Sequence, residues 1–159
     1  MKKTFLLSLF TFLISASKLF AQENFQDTSL ALMEDVARNS DQKNIVEFLA
    51  KAKYEKLSES ENDGVKSYIF FGPNSETMKV DYTKSKKLMN FIMIVSTDFG
   101  KLSFMQTDLM RHGFKNYKYD RFKWEKDSYP FKYLTTDDEE TKSKAFVYLI
   151  TKNSDLYKK

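Results

Sequence analysis

Twice along this chain an amphipathic helical pattern runs, with almost no linker, into four short segments rich in β-branched and aromatic residues. That order restricts the fold more than any other feature. Helices followed by strands that only turns separate give an antiparallel sheet with helices packed against it, an α+β architecture. In the first unit Ile45, Val46, Phe48, Leu49 and Ala52 recur at the spacing of one helical face, and strands are expected at 54–59, 65–71, 77–82 and 88–97. In the second, Leu102, Met105, Leu109 and Met110 share a face between a capping Asp98 and a stopping Gly113. Strands are then expected at 114–119, 122–127, 131–136 and 144–152. The connections carry turn signals: Asn62-Asp63-Gly64, Gly72-Pro73-Asn74, a lysine-rich stretch after Tyr82, and a turn near Asp120-Arg121. A short helix with Leu30, Leu32, Met33, Val36 and Ala37 on one face precedes both units. It breaks at Asn39-Ser40, either of which is placed to cap the next helix, and residues 22–29 ahead of it read as polar and loose.

The two units align. "LAKAKYEKL" (49–57) lies over "LMRHGFKNY" (109–117), Ser67-Tyr68-Ile69-Phe70 over Ser128-Tyr129-Pro130-Phe131, and "FIMIVST" (91–97) over "FVYLITK" (146–152), all in the same order. The expectation is a tandem α-β-β-β-β duplication, with units at about 38–97 and 98–152. It would form one curved antiparallel sheet with helices on one face, within a single α+β domain spanning 22–159.

Residues 1–21, MKKTFLLSLFTFLISASKLFA, have Lys2 and Lys3, an apolar run from Phe5 to Ile14, and small residues after it, the layout of a secretory signal peptide. Ser15-Ala16-Ser17 fits the small-x-small rule, and Ala21 before Gln22 is the favoured cleavage point. The apolar run falls short of the roughly 20 residues a spanning helix needs, so the mature protein is expected to be exported and not integral to a membrane. The 26 basic side chains include Lys2, Lys3 and Lys18, which leaves 23 against 22 acidic in the mature chain. Their distribution is uneven, acidic before residue 79 and basic from 79 to 132. With no cysteine, disulfides and thiolate chemistry are excluded, so the fold must rest on its core.

The signal peptide ending LFAQ, the Leu49-to-Tyr54 and Leu109-to-Phe114 junctions, and the terminal "FVYLITK" strand resemble small exported proteins of the Bacteroidetes type. Lys53 departs from that pattern where Gly113 keeps it. The doubled layout is also similar to that of the β-lactamase-inhibitor proteins, which implies a binder and not an enzyme.

Most chemistries find no support in the residues. His112, the chain's one histidine, falls in a last helical turn, where an imidazole bonds orphan carbonyls. No GxSxG elbow accompanies it, and all four glycines sit at turns or helix ends, which leaves no phosphate cradle. The run "FKNYKYDRFKWEKDSYPFKYL" (114–134) alternates rings and cations as single-strand binders do, but alternation on a strand explains it equally, and no nucleic-acid partner is expected. Asp137-Asp138-Glu139-Glu140 lacks the alternation of a calcium loop and reads as a hairpin tip; no metal or cofactor is expected. The expected function is therefore that of a non-catalytic exported module recognising a protein or other envelope component through the outer sheet face, with Tyr117, Tyr119 and Trp124 as candidate contacts. An inhibitor or immunity protein acting on an enzyme, and a small hydrolase with an unrecognised site, are the alternatives.

Overall fold

The computed structural model of the chain describes residues 22–83, 88–117, 120–137 and 144–157. Among these residues three helices, α1 (Thr28–Asn39), α2 (Ile45–Lys51) and α3 (Phe99–Arg111), accompany eight strands. These are β1 (Glu55–Asn62), β2 (Val65–Phe71), β3 (Thr77–Thr83), β4 (Met89–Ser96), β5 (Lys115–Tyr117), β6 (Asp120–Glu125), β7 (Phe131–Asp137) and β8 (Ala145–Thr151). All belong to one antiparallel sheet in the order β1-β2-β3-β4-β8-β7-β6-β5, so the mixed α+β class holds. Two meanders meet at a single seam, where β4 pairs with β8. The expected strands and helices all recur within a few residues of their expected bounds. The second meander opens earlier than its sequence suggested, because Asp120 already pairs with Tyr117 instead of forming the turn.

Alternation along the strands builds the core. Met78, Val80 and Tyr82 of β3, Ile92 and Ile94 of β4, Tyr133 of β7, and Val147 and Leu149 of β8 are buried, with their sequence neighbours facing the other way. They form one cluster with Leu30, Met33 and Val36 of α1, Ile45 and Leu49 of α2, and Met105 and Leu109 of α3. By contrast β1 exposes all eight side chains, and the β1–β2 hairpin turns through Asp63 and Gly64, both at positive φ, the two-residue turn that matches strand twist.

The two helix-to-strand junctions have the same geometry. After α2, Lys53 N–H donates to Ala50 O and Tyr54 N–H to Leu49 O; after α3, Gly113 N–H donates to Met110 O and Phe114 N–H to Leu109 O, each at 3.0 Å. These are Schellman caps whose C′ residue must be left-handed, and Lys53 and Gly113 sit at φ 64° and 80°. A Cβ at Gly113 meets nothing within 4 Å, so only the backbone conformation opposes a side chain there. Gly113→Ala should therefore lose about 1 kcal/mol, and Lys53→Gly should gain up to about 1 kcal/mol, in denaturant unfolding. Tolerance of alanine at 113 with a loss from glycine at 53 would contradict the caps.

Two local expectations are corrected. Neither Asn39 nor Ser40 caps α2: Ser40 closes α1 and donates its hydroxyl to Val36 O at 2.6 Å, and Asn44 stands at the start of α2. Residues 22–27 are pinned and not loose. Glu23 pairs with Lys126, Phe25 enters the core, and the Asp27 N–H donates to Asp108 Oδ2 at 2.8 Å while the Asp27 carboxylate caps α1. These partners lie 81 or more residues away, so local pattern carries no trace of them.

Candidate functional site

The sheet face turned away from the buried cluster is unusually apolar. Strand register places Asp81, Phe91, Ile150 and Lys132 in one cross-strand row, and Lys79, Met93, Tyr148, Leu134 and Lys123 in the next. Thr77, Val95, Phe146 and Thr136 form a third. Phe91, Met93, Val95, Phe146, Tyr148 and Leu134 are all half-buried, covered only by one another and by the stems of neighbouring side chains. The Phe91 and Tyr148 rings meet edge to face at 5.9 Å, and Lys79 Nζ lies 5.5 Å from the Phe91 ring centre. At the side of β7, Leu134, Thr136, Tyr148, Ile150 and Leu156 enclose a shallow apolar hollow of about 250 Å³. Leu156 comes from a 3-10 turn at Asp155–Tyr157, which Lys132 anchors by donating to Tyr157 O at 2.8 Å.

Charges on this face are paired among themselves. Lys79 meets Asp81 at 3.1 Å, and Glu125 sits between Lys123 and Lys132 at 2.8 and 2.7 Å. Burial pushes the Glu125 carboxyl up, but hydrogen bonds from Lys123 and Lys132, together with their charges, outweigh it and bring the group down to about 2. A carboxyl depressed in the folded state adds stability above its ordinary value of 4.5, and that contribution fades as pH falls toward 2. Wild type and Glu125→Gln should accordingly differ by about 1 kcal/mol at neutral pH and converge near the acid end, as read by unfolding at a series of pH values. A constant difference across that window would show that the two lysines do not set the titration.

The residues singled out as candidate contacts separate. Tyr117 occupies the last position of β5, its backbone opposite Asp120, and Tyr119 lies outside the described residues. Trp124 is corrected: it is buried, on the parity that faces the core, and its indole N–H donates to Thr135 Oγ1 at 2.8 Å. A ring so placed serves packing. The same holds for Phe114, Tyr129, Phe131 and Tyr133 of the aromatic and basic run, while Lys123, Lys126 and Lys132 are held by Glu125 and Glu23. These rings and cations, which a single strand would need, are thus already occupied. Apart from Asp137, the acidic run lies outside the described residues.

His112 does meet a carbonyl of the last helical turn, with Nδ1 2.9 Å from Asp108 O, but that oxygen is not an orphan, since it also accepts the His112 backbone N–H at 3.1 Å; Nε2 is 3.1 Å from Asn24 O. Both ring nitrogens thus face backbone acceptors, and Phe25 packs edge-on at 4.8 Å, so the histidine straps the N-terminal segment to the end of α3. No nitrogen remains to take a proton from a nucleophile. Among the described residues, no group of three or more potential ligands is placed to hold a metal ion, and no helix is long and apolar enough to cross a membrane. The sequence pointed to the outer sheet face as the binding surface but took its residues from the basic run; the signal for the residues that form it was the second parity of β4 and β8, where Phe91, Met93 and Tyr148 stand at positions that solvent-facing strands normally fill with polar residues. No protein-family model, curated protein or solved structure matches the chain.

Proposed function

We propose that the protein is a non-catalytic exported binding module that recognises a protein or other envelope component through the outer face of β3, β4, β8 and β7. The observation that carries this reading is the contiguous apolar patch centred on the Met93–Tyr148 pair. An antiparallel sheet with one face in the core ordinarily turns polar residues outward, and extended apolar surface on a folded domain marks an interaction site. Aromatic and methionine side chains rimmed by lysine–carboxylate pairs match the composition of protein interfaces, and the ring nitrogens of His112 are both engaged, which weighs against the hydrolase alternative. A photoreactive benzophenone residue at Met93, in the exported protein, should crosslink to one defined component, whereas the same group at the exposed Glu47 of α2 should not. Equal labelling from both positions, or none from Met93, would count against the face.

The architecture behind this face is read as a tandem duplication with the helices on one side of a curved sheet. Three features support it. The strand order is palindromic about the seam, both units begin with the same Schellman cap, and the register of the seam is symmetric under the sequence alignment. Phe91 pairs with Ile150, and their aligned equivalents, Phe146 and Val95, pair with each other; Met93 pairs with Tyr148, its own equivalent. The pseudo-twofold axis therefore passes through the centre of the apolar patch.

A further inference from the structure

We propose that the outer face binds a second copy of the chain, face to face, across a twofold axis that runs parallel to the strands. The dimer rests on that face being the protein's binding surface, and it commits the face to one occupant. Two eight-stranded sheets would then stack about 10 Å apart as a sandwich, with the buried cluster of each copy behind its own sheet. The face is large enough. From β2 to β6 it spans six strands about 4.8 Å apart and three outward rows about 6.8 Å apart, a footprint of about 600 Å² before corrugation is counted, which approaches the roughly 800 Å² of accessible surface that each partner gives to a stable interface.

The apolar pattern is self-complementary. An axis along the strands opposes β4 to β8 and β3 to β7 of the second copy, and it keeps each cross-strand row opposite itself. Phe91 then lies over Ile150, Met93 over Tyr148 and Val95 over Phe146, and every contact is made twice. The shallow hollow beside β7, with Leu134, Tyr148 and Ile150 in its wall, falls under the Phe91 ring of the second copy, and its volume of about 250 Å³ gives that ring a seat. Ile69 and Phe71 carry the apolar band outward along β2, opposite Lys79 and Thr77 of β3. Phe71 is 44% exposed, surface that the monomer leaves for a partner to cover.

The charges select the axis. A twofold axis across the strands, through the Met93–Tyr148 row, would oppose each strand to itself and stack Lys79 on Lys79 and Lys123 on Lys123, like charge on like. The strand-parallel axis avoids both clashes. It lays Lys79 over Leu134 and Lys123 over Ile69, so that lysine stems cover apolar side chains while the ammonium groups stay with Asp81 and Glu125 of their own copy. It also sets Lys132 of one copy over Asp81 of the other, since both stand in the Phe91–Ile150 row, and opposite charges then face each other at the rim.

Analytical ultracentrifugation of the mature protein at about 50 µM should give a dimer, and the melting temperature should rise with protein concentration, as a fold linked to association requires. Tyr148→Glu puts a charge at the centre of both faces and should weaken association at least about a hundredfold, leaving a monomer whose melting temperature no longer depends on concentration. Two variants at Leu134 keep the test open if Tyr148→Glu does not fold. Leu134→Lys, set over Lys79 of the second copy, should dissociate at least about tenfold more readily than Leu134→Glu, which meets the same lysine with the opposite charge. A monomeric wild type, a folded Tyr148→Glu protein that still dimerises, or equal affinities for the two Leu134 variants would overturn the dimer. The benzophenone at Met93 separates the dimer from the binding face beneath it, since it should join the chain to a second copy of itself. A crosslink from a monomeric chain to a different protein would overturn the second copy and leave the outer face standing, whereas no crosslink would count against both.

Discussion

Glu34→Ala should destabilise the protein by about 3–5 kcal/mol, among the largest effects of any single substitution. Glu34 is fully buried on α1, and its carboxylate accepts hydrogen bonds from the Tyr129 hydroxyl, from the Tyr133 hydroxyl at 2.6 Å, and from Arg38 at 3.4 Å. Alanine removes the acceptor but leaves two phenols and a guanidinium that were desolvated around it. Arg38 cannot simply swing out, since it stacks 5.0 Å from the Phe131 ring centre and also donates to the Tyr129 oxygen. Glu34→Gln keeps an acceptor and should cost less than half as much in urea or guanidinium unfolding. If alanine and glutamine were equivalent, and both cost under about 1 kcal/mol, the carboxylate would not be the anchor described. The same site makes the fold sensitive to alkali. Burial, followed by the Glu34 carboxylate, holds the Tyr129 and Tyr133 phenols above their ordinary value of 10.0. A group whose folded value is raised contributes stability below its unfolded value, and that contribution is lost as pH climbs past 10.

Gly72→Ala should cost about 3 kcal/mol, although the change is one methyl group in a turn. A Cβ at this position would lie 2.5 Å from Tyr54 Cε1 and 2.6 Å from Cζ, closer than non-bonded atoms approach. The ring cannot give way cheaply, because Tyr54 is buried and its hydroxyl donates to Glu76 at 3.0 Å. Glu76 in turn is held by Ser29 and by Lys101, whose ammonium reaches it from α3. Overpacking costs about 1–3 kcal/mol, and a displaced hydrogen bond to a buried charge adds about 1.5–3. Adding Tyr54→Leu should absorb the new methyl, so the cost of alanine at 72 should shrink by at least half in that background. An unchanged cost would mean that the ring and the turn are not in contact.

How much of this was legible depended on the reach of each interaction. Helices and strands were readable because their signals are local: the spacing of Ile45, Leu49 and Ala52, the Asp63-Gly64 turn, the Asp98 cap and the Gly113 stop each act within a few residues. The Leu49–Tyr54 and Leu109–Phe114 junctions were visible for the same reason, down to the left-handed position that Lys53 fills without a glycine. Trp124 misled because alternation identifies two faces without saying which is wet, and the rings of 114–134 were assigned by their basic neighbours. Glu34 and Glu76 gave no warning. Their partners stand up to 99 and 47 residues away, and an acid on an amphipathic helix, as Glu34 is, or beside a turn, as Glu76 is, ordinarily looks solvated. The outer sheet face was expected as the binding surface, but its residues went unnamed for a similar reason, since its width comes from four strands whose pairing only the fold supplies.

The seam between β4 and β8 also sets a schedule. A chain emerges from the ribosome, or through a membrane, N-terminus first, so the first meander can assemble while the second is still absent. Until residues 145–151 arrive, the inner edge of β4, with Phe91 to Val95 along it, is an open strand of apolar residues. Its permanent neighbour is β8, the last strand among the described residues. Any nascent or truncated product that stops before β8 therefore carries a sticky edge, and its solubility depends on how quickly residues 145–151 are delivered or on a holding chaperone that covers β4 in the meantime.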